Sequence, residues 1–144
     1  MADSIEIAGH GASVTIGITG YENPAAVNPS DANWLSCTVL LGIGAFSGSL
    51  AASFTTHDFA RFFGQFQAAL SALEGVVSFL TDEDMLRLNL KFEKTGRVQI
   101  SGLAQELGLT KAALTFSFES DQSFLTQTCR QLEKVTKKFP VKEL

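Results

Sequence analysis

Val14, Ile16 and Ile18 alternate with Thr15, Gly17 and Thr19, the period-two pattern of a strand with one buried face. A shorter apolar run, Ile5 to Ala8, precedes it across Gly9-His10-Gly11, which reads as a turn. The stretch YENPAAVNPSDAN, residues 21–33, has no periodicity and holds two of the three prolines, so a surface loop is expected. From Trp34 to Ile43 the odd positions Leu35, Cys37, Val39, Leu41 and Ile43 form an apolar face. From Phe46 to Phe54 the even positions Phe46, Leu50, Ala52 and Phe54 do so. The change of parity across Gly44-Ala45 marks a turn between two strands. Then the period lengthens. Phe59, Phe62, Phe63, Phe66, Leu70 and Leu73 fall on one face of an amphipathic helix. Thr55-Thr56-His57-Asp58 supplies its N-cap, and Gly75 is the expected stop.

The second half repeats this plan. Val76 to Leu80 is a short apolar run, followed by the acidic Asp82-Glu83-Asp84. Leu86, Leu88, Leu90 and Phe92 alternate with Arg87, Asn89, Lys91 and Glu93, a strand with one wet face. The segment EKTGR turns around Gly96 into a return strand begun by Val98 and Ile100. Leu114, Phe116 and Phe118 alternate once more. From Ser120-Asp121 onward Phe124, Leu125, Thr128, Cys129, Leu132 and Val135 share a helical face. Both halves therefore run from strands ending in Ser-Phe into a helix, SFTTHDF and SFESDQSF. The interval exceeds the roughly 20–50 residues of solenoid repeats, and an old duplication and a recurring strand–helix junction both fit it. The expectation is one α+β domain spanning residues 1–144. It has antiparallel β-meanders of about eight strands, two amphipathic helices near 57–74 and 121–138 packed on the sheet, and a pattern compatible with an internal two-fold repeat.

Composition narrows the class. The chain has 144 residues, enough for one core without metals or disulfides. It is 45% hydrophobic with 12 Phe and only 18% charged, which excludes disorder over most of its length. A net charge of −4 argues against a nucleic-acid backbone as the partner, which would call for a basic field. It is compatible with a basic protein partner. The two cysteines, Cys37 and Cys129, make no disulfide framework and read as small buried hydrophobes. MADSIEIAGHG has neither the basic nor the apolar region of a signal peptide. The apolar run from Leu35 to Phe46 is short of the roughly 20 residues a spanning helix needs. A cytoplasmic protein without membrane contact is therefore expected.

Candidate chemistry is sparse. The glycine-rich LLGIGAFSGSL places Ser47 where a dinucleotide fingerprint needs its third glycine. No helix starts there, no Lys-Ser/Thr follows, and the G-x-S-x-G order is broken. It reads as a hairpin turn. His10 and His57 lack partners at metal-ligand spacing, and His57-Asp58 reads as helix capping. No catalytic residue, metal site or cofactor is expected. Asp82, Glu83 and Asp84 read as a solvated turn or as an acidic patch facing a partner. Trp34, on the phase opposite Leu35 and Val39, either covers a second layer or marks a contact surface. These four residues are the candidate partner-binding set.

Three stretches, NWLSCTVLLGIGAFSGSL, THDFARFFGQFQAAL and LTFSFESDQSFLTQTCRQLEKV, taken in this order, resemble the WapI-type immunity proteins. These are small bacterial proteins encoded with polymorphic, contact-delivered toxins. The likeness spans roughly residues 30–137 and lies in structural segments: a Trp-containing strand, a hairpin and helix, and a later strand entering a polar helix start. It implies a non-enzymatic protein that binds and neutralises a cognate toxin domain, often a nuclease, in the cytoplasm. Two other classes fit the same pattern. A small-molecule-binding or enzymatic α+β domain would show a deep pocket with convergent polar groups. A structural domain would homodimerise through an exposed sheet edge.

Overall fold

Two-residue turns, His10-Gly11 and Gly44-Ala45, close two of the hairpins on which the fold is built. The computed structural model describes residues 3–144 and contains two four-stranded antiparallel meanders. The first runs β1 (Asp3–Gly9), β2 (Ala12–Tyr21), β3 (Trp34–Ile43) and β4 (Phe46–Thr55), in that spatial order. The second runs β5 (Gly75–Phe79), β6 (Leu86–Phe92), β7 (Arg97–Gln105) and β8 (Ala113–Asp121). Between β3 and β4, Gly44 sits at φ 59° and Ala45 at negative φ, as a type II′ turn requires. Ile43 then faces Phe46, and the register holds without a break to Trp34 opposite Thr55. The alternation read from the sequence becomes burial: Leu86, Leu88, Leu90 and Phe92 are buried while Arg87, Asn89 and Lys91 are exposed.

Each meander is followed by a 17-residue helix, α2 (Thr56–Ala72) after the first and α3 (Gln122–Lys138) after the second. The helices cross over. α2 packs chiefly on β5 of the second sheet, α3 on β1 of the first, and the two helices pack on each other. The matching topologies agree with an internal two-fold repeat. Side chains of α3 and β8 also serve the outer edge of β1. Thr128 Oγ1 donates to Glu6 O (2.7 Å), Glu6 N donates to Gln131 Oε1 (2.7 Å), and Ser120 Oγ donates to Ala8 O (2.6 Å). His10 N donates to Glu119 O at 2.8 Å, which ties the first turn to the end of β8. Both outward backbone groups of Glu6 and the carbonyl of Ala8 are thereby partnered.

One apolar cluster joins both sheets and both helices. At its centre Phe79 of β5 meets Phe54 (5.1 Å between ring centroids), Phe62 (5.2 Å) and Phe59 (5.8 Å), mostly edge to face. Cys37 is buried in the same layer, and desolvation pushes its thiol up to about 12, so it stays protonated at neutral pH.

Four details differ from the sequence expectation. The 21–33 loop contains a one-turn helix, α1 (Pro29–Ala32), which Asn28 caps by accepting from Asp31 N, with Pro29 in the first turn. α2 stops at Leu73, itself in the left-handed region at φ 53°, and Gly75 already opens β5. Phe46 lies past the end of the covered core and is 66% exposed. Phe124 is turned outward and meets His10 edge-on at 5.3 Å.

Candidate partner-binding surface

The site grows from one buried amide. Asn33, between α1 and β3, uses all four of its side-chain positions. Nδ2 donates to Pro29 O (2.9 Å) and Lys142 O (3.0 Å), while Oδ1 accepts from Thr56 Oγ1 (2.6 Å) and Lys142 N (2.7 Å). It thus fixes α1, the start of α2 and the C-terminal segment to one another. The α2 start is a capping box: Asp58 N donates to Thr55 Oγ1 at 3.1 Å, and Thr55 N to Asp58 Oδ2 at 2.8 Å. The other Asp58 oxygen holds Arg61 at 2.9 Å, and Arg61 reaches on to Leu80 O at 3.2 Å. One guanidinium so links the helix to the segment that leads into the acidic turn.

Over this frame lies a cleft of about 400 Å³ whose walls include Trp34, His57, Arg61 and Asp82. Trp34 and Asp82, singled out for separate reasons in the sequence, are therefore neighbours. Trp34 is half-buried, and His57 is exposed beside the cap that Asp58 makes.

The acidic triplet is not one patch. Asp82 faces the cleft and Glu83 points to solvent. Asp84, in the left-handed region at φ 56°, turns toward Arg87 and accepts from its Nε (2.6 Å) and Nη2 (2.5 Å). This paired guanidinium holds the Asp84 carboxyl below the usual range. Gln105 Nε2 fixes the turn by donating to Asp84 O at 2.6 Å. Among the described residues no cation pairs with Asp82 or Glu83, so these two carry the free negative charge of the turn.

A wider cleft of about 780 Å³ lies at the corresponding start of α3. Four of its charged or titratable groups are engaged with one another. Arg97 Nε meets Glu119 at 3.1 Å, His10 lies 3.5 Å from Asp121, and Asp121 caps α3 by accepting from Ser123 N and Phe124 N. The Ser123 hydroxyl on the same carboxylate is the main reason its pKa lies low. His10 and the Ser123 hydroxyl thus both meet the Asp121 carboxylate, on its two different oxygens. Among the described residues no group of three His, Cys, Asp or Glu is placed to hold a metal, and no helix is long and apolar enough to cross a membrane.

Sequence reasoning missed Asn33 and Arg61. Arg61 follows Asp58 by three positions, a helical ion-pair spacing that could have been noticed. Asn33 carried no signal, because its partners lie at Thr56 and Lys142. Residues 5–140 match the model of the immunity protein WapI-like family. No curated protein matches the chain.

Proposed function

The chain belongs to the immunity protein WapI-like family, and we propose that it exerts its immunity function by occlusion, binding a cognate toxin domain in the cytoplasm and adding no chemistry of its own. The family match over nearly the whole chain carries this reading. The Trp34 cleft and the free acids beside it support a place for the contact: buried aromatics often anchor binding, and charges near them steer the encounter. In this reading Trp34 supplies contact area and desolvation, while Asp82 and Glu83 set the rate of encounter. Such a complex needs roughly 800 Å² of complementary surface per partner. A nuclease toxin must attract phosphates and so presents a basic face, which an acidic rim approaches fast at low salt.

The test is co-purification with the toxin domain encoded beside this chain, then stopped-flow association. Asp82→Ser with Glu83→Ser should slow association several-fold and flatten its salt dependence, and Asp84→Ser should add little because Arg87 already neutralises it. Trp34→Ala should raise Kd by about 30-fold through faster dissociation. Absence of any complex at micromolar concentration overturns the toxin-binding reading. Unchanged kinetics in all variants leaves toxin binding standing and removes this surface from it.

A further inference from the structure

The two edges of the first sheet are treated differently. β1 is covered by polar groups from α3 and β8, whereas β4 pairs on one side only. The two-residue turn makes Ile43 and Phe46 a hydrogen-bonded pair, so the alternation leaves the N–H and C=O of Ser47, Ser49 and Ala51 directed away from β3. Among the described residues no other strand pairs with them, and Phe46 to Ser49 and Ala51 are all exposed. The usual protections of an edge are missing: FSGSLAASFT has no charge, no proline and no bulge.

We propose that this edge pairs with the same edge of a second copy, antiparallel about a two-fold axis through Ser49. The side-chain sizes select this occupant and this register. On the core-facing side β4 reads Phe46, Gly48, Leu50, Ala52: large, small, large, small. In the antiparallel register with Ser49 opposite Ser49, each Leu50 faces the other copy's Gly48 and each Phe46 the other copy's Ala52. Large meets small four times, at the non-hydrogen-bonded positions where side chains approach most closely. Ser49–Ser49 and the two Ser47–Ala51 pairs are the hydrogen-bonded positions, worth about six backbone bonds in all. On the outer face the three pairs are small and cannot clash.

Charge points the same way. Two copies of a chain with net charge −4 repel, which favours contact through a strand without charge; β4 is such a strand, with Glu106 the charged residue lining the clefts beside it. The exposed Phe46 and the neighbouring Leu107 and Leu109 form an apolar rim around the free edge, and pairing covers part of it.

The chain alone is the sample, so the outcome is independent of any toxin. Sedimentation at about 100 μM should show a dimer that dissociates on dilution. Ser49→Pro removes an outward N–H that β3 does not use, and Ser49→Lys sets two cations face to face; both should return the protein to monomer with its circular dichroism unchanged. In a Cys129→Ser background, Ser49→Cys should form a covalent dimer on mild oxidation, since hydrogen-bonded partners stand about 5.5 Å apart between Cα atoms. Ser47→Cys, which faces Ala51, should not. A native chain that stays monomeric, a dimer that survives both Ser49 variants, or equal cross-linking at 47 and 49 would each overturn the proposal.

Discussion

Gly9 occupies a position where one methyl group is too many. A Cβ there would stand 2.4 Å from Glu119 O and 2.8 Å from the Phe118 ring, at the junction where β1 meets β8. Gly9→Ala should therefore cost about 1–3 kcal/mol, since neither a backbone oxygen nor a ring held in place can yield cheaply. Gly64 has open space around its missing Cβ and lies inside α2. Gly64→Ala should gain about 0.5–1 kcal/mol through helix propensity. Urea denaturation of the two variants reads both signs. In the sequence Gly9 read only as part of a turn, and the crowding there was invisible because Glu119 is remote in the chain. The same reason hid Asn33. The acidic triplet, read as a solvated turn or a partner-facing patch, is divided by the backbone: a left-handed Asp84 sends the third carboxylate to Arg87, a pairing the sequence did not announce.

At the scale of elements most of the fold was legible, because period two and period 3.6 survive translation into burial with little change. β6 and the α2 phenylalanines Phe59, Phe62 and Phe66 lie as their spacing required. The errors sit at ends. Phe46 has the right phase but lies where the covering layer has run out, and Phe124 falls on the margin of its helical face. α1 was missed because a single capped turn has no period to detect. β5 shows how much a short element can carry: its Phe79 touches three rings from β4 and α2 and is 1% exposed. Phe79→Ala should cost about 3–5 kcal/mol by the same measurement, a large share of the roughly 5–15 kcal/mol that holds a typical domain together.

For the molecule as a whole, the exchange of helices makes two similar halves interdependent. Neither meander covers its apolar face with its own helix alone: α2 lies mainly on β5 and α3 on β1. Separately produced fragments 1–74 and 75–144 should each lack cooperative unfolding, and mixing them should restore the circular dichroism of the full chain. A fragment that folds alone would contradict the interdependence. Nothing in one half of the sequence announced this, since periodicity says which face is apolar and not which element will cover it. The polar seal on β1 carries a consequence for how the protein is made. β1 leaves the ribosome first, and the Thr128 and Gln131 groups that close its edge come near the end. Until α3 has been translated the first strand waits for its partner, so the native fold cannot close while only the two meanders have emerged.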